Sequence, residues 1–390
     1  MYVENCTFQN GGTRSIDFDN NYYYRCVIKN NTVHGGSGLF YSNTANFFGA
    51  LFEGNVVNDM KYDVGPAISF GNTLPYDMYG SVDTLKIIIK DNTFTGVTDF
   101  NNQPQDAIAV FGRNMTSHEP HRYQRVYEVS NNVMQRGGSI RLEGHYSEGD
   151  NTIIKVIDNE VYNSKKKALE IAYAHGGSRI SGNTFRGMWQ QISNYTSDEY
   201  SRGVYLGAFN GDFTNNVIDS SYAVGLFYVQ SSGRIDSNTV TNNGTGITIE
   251  GNFDSRVTSQ VGYNNITNNW YRGIRTKEYS NPTINYNDLF SNSTNTDYMD
   301  ISHEVLSSNY DELNARLNYW GETTTAVMDE GGNPKNLSNI YDQYDDASLG
   351  FVNYGNYLAE SGGQPSATNV TGSVLFTDAS GTEQLNFSSG

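Results

Sequence analysis

One six-residue phrase recurs along this chain every 22 to 40 residues: apolar, any, any, Asn, any, apolar. Its central slots are Cys6, Asn31, Asn55, Asn92, Asn132, Asn159, Asn183, Asn216, Asn238, Asn264 and Asn287, so ten of eleven are Asn. The flanking positions, from Val3 and Phe8 in the first copy to Ile284 and Leu289 in the last, are apolar throughout. A repeat of this kind means stacked units that bury one shared core.

A unit of some 22 to 25 residues is too short for two helices and a turn. It suits three short strands separated by bends. Runs such as Ser139-Ile140-Arg141-Leu142-Glu143 and Gly246-Ile247-Thr248-Ile249-Glu250 alternate as strands do, and helical periodicity is nearly absent before residue 305. The central Asn is expected to make a tight bend, because Asn tolerates left-handed angles and bonds its neighbouring backbone. Stacked, these residues would form an amide ladder. The reading is an all-β fold: a single-stranded right-handed parallel β-helix of about 11–12 coils with a C-terminal cap segment, rising by about 4.8 Å per coil.

The phrase, clearest in Ile180-Ser181-Gly182-Asn183-Thr184-Phe185, resembles the repeat of the pectate-lyase-like superfamily over about residues 1–360. The segment Asn318-Tyr319-Trp320-Gly321 is similar to the closing motif of β-helix-repeat modules in secreted bacterial surface proteins. The resemblance implies the fold and leaves function open, since such coils carry lyases, hydrolases, epimerases, binding proteins and adhesins.

Residues 1–305 read as coils, with the N-terminal cap apparently missing because Val3 already lies in the repeat. Residues 306–360 read as a closing coil, with a short helix over Asp311–Leu317 and Trp320 plugging the core. Residues 361–390 read as a linker and the truncated start of a following β-rich module, whose Val370–Asp378 stretch resembles an immunoglobulin-like opening strand. Cys6 and Cys26 read as two buried thiols rather than a disulfide.

A net charge of −17 argues against nucleic acid, which needs a basic footprint. No stretch reaches the apolar length of a membrane span. No cofactor is certain. Calcium is a candidate at Asp342, Asp345 and Asp346, which supply the oxygen ligands it prefers, although a solvated acidic loop is the preferred reading.

Uneven spacing between the Asn slots puts long loops near 70–85, 98–125 and 193–203, the last two carrying His118, Arg125 and Arg202. Alternation then places Arg141, Glu143, Glu170, Tyr205, Phe227, Thr248, Glu250, Arg275 and Lys277 on one outer face. Trp189 flanks it, joined by Tyr228 or Tyr173 if the register slips. Substrate-binding candidates are Arg141, Trp189, Tyr205, Phe227, Arg202 and His118, since aromatic faces stack on sugar rings and charges bond hydroxyls or carboxylates. Catalytic candidates are Glu143, Glu170, Glu250, Arg275 and Lys277. Elimination needs a cation on the uronate and a base for its α-proton, whereas hydrolysis needs facing carboxylates.

The expectation is an extracellular or cell-surface module that contacts polysaccharide, in binding or adhesion, beside further domains of the same polypeptide. A polysaccharide lyase or glycoside hydrolase acting on an acidic glycan is the alternative. A structural stalk of a large adhesin is the second. Ordinary cross-strand ion pairs would explain the same charges.

Overall fold

The computed structural model describes residues 1–9, 15–18, 22–23, 25–36, 38–42, 46–47, 49–61, 65–72, 84–98, 105–112, 124–144, 151–164, 167–188, 202–292, 299–309 and 312–365. Within them the chain winds as a parallel β-helix. A 21-stranded sheet covers two faces and an 11-stranded sheet the third. One coil shows the plan: Ser232–Asp236, Thr239–Thr241 and Thr245–Glu250 are its three strands, each paired in parallel with the coil before and after. Two strands, Leu169–Ser181 and Arg202–Thr214, run unbroken around the vertex between two faces.

The predicted ladder is present and runs inside the first corner. Asn159 is typical: its Oδ1 accepts the backbone N–H of Asn132 at 3.0 Å and the side-chain amide at 2.9 Å. Its own amide donates to Val129 O, Ile157 O and Asn183 Oδ1. Asn31 through Asn287 are all buried, so each amide exchanges water for neighbouring amides without losing a partner. Cys6 begins the series through its backbone N–H alone, bonded to Asn31 Oδ1 at 2.9 Å. Asn318 ends it, accepting from Asn287 and donating to Ile284 O and Ala315 O.

The bend is not where the sequence suggested. The left-handed residue is the one before each ladder Asn, as in Asn131 (φ 53°), Asp158 (φ 55°) and Gly182 (φ 73°). The ladder Asn itself has no positive φ; its work is hydrogen bonding. Short polar residues and Gly dominate the bend slot because they meet that backbone at least cost.

A second, shorter ladder lines the next corner. Ser221 N–H donates to Asn243 Oδ1, Asn243 to Asn269, Asn269 to Asn292, and Asn292 to Asp300 Oδ1. A carboxylate fits at the end, where only acceptance is needed. Asn339 from the closing segment donates to Asp300 Oδ2 at 2.6 Å, tying cap to body.

The closing segment departs from expectation in one element. Glu312–Asn314 is a strand paired with Phe351–Asn353, since Leu313 and Ala315 alternate inward and are buried. The helix lies further on, at Gly321–Asp329. Its three consecutive threonines are poor helix formers, and burial of Thr325 and Met328 overrides them. Trp320 is buried as the core plug. Residues 366–390, with the suggested following module, lie outside the described residues; Leu358 bridges Pro365 as the linker begins. Both cysteines are free, but Cys6 is exposed on the first coil and only Cys26 is buried.

Two outcomes follow. Asn159→Ala removes the acceptor of the Asn132 backbone N–H and the amide's bonds to Val129 O and Asn183 Oδ1, so it should cost about 2–4 kcal/mol in urea denaturation, and Asn31→Ala less, since the rung before it lends only a backbone N–H. Burial pushes the Asp300 carboxyl up to about 6 from 3.8, against the amides of Asn339 and Asn292 that lower it. Because the folded state holds that proton more tightly, this contribution is full below pH 3.8 and lost as pH rises through about 6. Relative to Asp300→Asn, the wild type should therefore lose up to about 3 kcal/mol across that window; a pH-independent gap in melting temperature contradicts the assignment.

Candidate functional site

The outer face anticipated from alternation is built as expected. Ile140, Leu169, Val204, Leu226, Ile247, Ile274 and Ile301 form one inward column, each registered on the next. The residue after each forms an outward column: Arg141, Glu170, Tyr205, Phe227, Thr248, Arg275 and Ser302. Two positions on, the second outward column reads Glu143, Ala172, Gly207, Val229, Glu250, Lys277 and Glu304.

Each of the five catalytic candidates is engaged in an ion pair. Glu143 lies 3.8 Å from Arg141, Glu170 lies 3.1 Å from Lys167, and Glu250 receives Lys277 at 2.9 Å. Arg275 grips Glu304 in a two-pronged bond, Nε to Oε1 at 2.9 Å and a terminal nitrogen to Oε2 at 2.7 Å. Burial pushes the Glu304 carboxyl up, but the hydrogen bonds and charge of Arg275, with Ser302 and Arg272, outweigh it and hold it below its usual value. Glu143 and Glu170 do not face each other. Register sets Arg141 beside Glu170 and Ala172 beside Glu143, so a cation stands between the two acids.

Between the charged ends lies an aromatic patch. The Tyr205 and Phe227 rings stack at 6.0 Å with a 14° interplanar angle. Tyr205 leans along its strand over Gly207, where a Cβ would sit 2.7 Å from its hydroxyl. Arg202 packs its guanidinium 3.6 Å from the Phe227 ring centre, and Lys167 lies 4.8 Å over Tyr205. These cation–π contacts leave Phe227 only 5% and Arg202 8% exposed. Tyr205 stays half-buried, and that burial raises its phenol. Thr248, next along the column, is buried with its hydroxyl unbonded.

Several expected positions need revision. Arg202 and Arg125 are not loop residues but lie at the start of the strands Arg202–Thr214 and Gln124–Ser130, as first and second residue respectively, and both are buried. Tyr228 points inward, bonding Ser259 at 3.2 Å, so the register does not slip. His118, Trp189 and most of the long loops lie outside the described residues. The inward Thr276 meets His303, whose imidazole sits 2.7 Å from the Thr276 hydroxyl and is driven down to about 4 by burial, hence neutral. Lys167 and Glu304 were missed as members; their signal was proximity to Glu170 and Arg275 in the repeat.

The aspartates near the C-terminus are occupied by backbone. Asp342 accepts from Tyr344 and Val352, Asp345 from Asp342, and Asp346 from Ser348. Among the described residues, no three His, Cys, Asp or Glu side chains gather as a metal ion needs.

Fold and repeat together define a right-handed parallel β-helix. Residues 202–369, covering the later coils and the closing segment, match the family described as the right handed beta helix region. No curated protein and no solved structure matches the chain.

The Arg275–Glu304 pair allows a direct check. Glu304→Gln should cost about 1–2 kcal/mol at neutral pH, since Arg275 keeps only part of its bonding. Glu304 is held below 4.5 when folded, so that difference should shrink as pH falls through and below this value. A gap in urea midpoints that survives at acid pH would show another origin.

Proposed function

We propose that this chain is a polysaccharide-contacting module of an extracellular or cell-surface protein, and that it binds an acidic glycan across the face centred on Tyr205. The observation that carries this reading is the aromatic patch set among charge pairs. Tyr205 leans over Gly207, which is registered between Ala172 and Val229, so small or apolar positions form a strip beside the ring. Six cationic side chains (Arg141, Lys167, Arg202, Arg272, Arg275 and Lys277) stand at or beside these columns against four carboxylates, in a protein of net charge −17. Aromatic rings offer sugar rings a face, and neighbouring cations attract uronate or sulfate groups.

Binding is favoured over catalysis because each candidate acid, base or cation is committed to a neighbour, and the two nearest acids are parted by Arg141. Among the described residues, no helix is long and apolar enough to cross a membrane.

Titration calorimetry with pectate, alginate and chondroitin tests the proposal. Tyr205→Ala should weaken the bound glycan about tenfold, equivalent to about 1.4 kcal/mol, with circular dichroism unchanged. Binding should fall as salt rises. Retention of full affinity by Tyr205→Ala, or no affinity for any acidic glycan, would refute it; shortening of the glycan would replace binding with enzymatic cleavage.

A further inference from the structure

We infer that a second sugar platform lies on another face, across the coils of residues 253–286, and that it takes a neutral polysaccharide. At the first corner the bend slot is filled by Asn, Asp, Gly or Ser on every described rung from Asn5 to Ser237. The next two rungs hold tyrosines, Tyr263 (φ 57°) and Tyr286 (φ 61°). A bulky aromatic in left-handed backbone is unusual, and such strain gathers where a ligand is held. Their rings stack at 5.2 Å, only 4° from parallel, yet they remain 63% and 43% exposed. The residue on the preceding rung, Ser237, is small, and its hydroxyl turns to Asp236, so the outer side of Tyr263 is uncovered.

The opposite edge of the same face is also aromatic. Phe253, 72% exposed, meets Tyr279 edge to face at 6.0 Å, and Tyr279 is again left-handed (φ 50°). Between the two edges run the paired strands Gln260–Gly262 and Thr283–Asn285. Val261 and Ile284 point inward, leaving Gln260, Gly262, Thr283 and Asn285 outward. Neither strand carries a charge, although the protein around them is strongly acidic. Tyr286 lies seven positions after Tyr279, at most roughly 25 Å of chain, enough for a short run of sugar rings.

An uncharged amide and hydroxyl floor with an aromatic pair at each end suits a neutral glycan, whose hydroxyls bond the floor while its C–H faces stack on the rings. The two strands themselves carry no cation for a uronate, the flanking Arg234 lies within 3.5 Å of Asp212 and Asp236, and the floor is too polar for a lipid surface. This strip shares no residue with the Tyr205 patch, so either can fail alone.

Affinity electrophoresis of the full chain through gels containing a soluble β-glucan, a mannan or a galactan tests it. Tyr263→Asn combined with Tyr286→Asn is the informative variant. Asn fits left-handed backbone better than Tyr, so the melting temperature should hold or rise. Affinity for the neutral glycan should fall at least tenfold, and Phe253→Ala should weaken it also. Unchanged retardation of the double variant, or no retardation by any neutral glycan, overturns the inference even if acidic glycans still bind through Tyr205. Capture by phosphatidylcholine vesicles without glycan retention overturns it in favour of a membrane contact.

Discussion

The buried amide ladder is the interaction on which the rest depends. A parallel solenoid has no hairpin turns to fix its register, and a slip of one residue would turn every inward side chain outward. Each ladder Asn removes that freedom by bonding the backbone of its own coil and both neighbours at once. The bonds of Asn183 reach Val156 in one coil and Asn216 in the next. Apolar columns such as Val57, Phe94, Met134 and Val161 can then pack in line, and the outer columns inherit the same alignment.

Much of this was legible because the repeat carries its own alignment. Register, inward columns and the outward row from Arg141 to Lys277 all follow from where the asparagines fall and from strand alternation. The bend was misplaced by one residue because a slot that varies among Asn, Asp, Gly, Ser, Tyr and Leu leaves a weaker trace than an amide that recurs at all but one slot. The second ladder escaped notice for a similar reason. Its Asn lies five residues after the first-ladder Asn in only three coils, at Asn243, Asn269 and Asn292, whereas Met60, Val97, Ser164 and Met188 fill that slot elsewhere. The cap helix was hidden by sequence that favours no helix. Ion-pair partners within the face were not legible, since Lys167 precedes the strand Leu169–Ser181 and could turn several ways.

Asp300 and Glu304 show how strongly position on one strand governs a carboxyl. They are four residues apart on Met299–Glu304. Asp300 points to the second ladder, meets only neutral amides, and is raised by burial. Glu304 points outward to Arg275 and is lowered despite its burial. Amide donors offset only part of desolvation, while a two-pronged guanidinium exceeds it. The same contrast explains why the outer face can hold many paired charges while the buried corners are lined mainly by amides, with Asp300 the terminal acceptor.

A solenoid separates what must be kept from what can vary. Inward columns and ladder slots are constrained on every rung, but an outward residue touches only its neighbours on adjacent coils. Distinct surfaces can therefore be written on different faces of the same rungs at little cost to the core. Within the span from 245 to 304 one face carries Glu250, Lys277, Arg275 and Glu304, mutually paired, and another carries the uncharged strands at 260–262 and 283–285. The tyrosines at 263 and 286 break the local preference of their slot without serving the core, since both rings are turned to solvent. Ring stacking offsets part of the strain of a left-handed aromatic, but Asn in those slots would avoid it altogether. A residue that is worse for the fold than the one its neighbours use, and is exposed, points outward to something that it meets there.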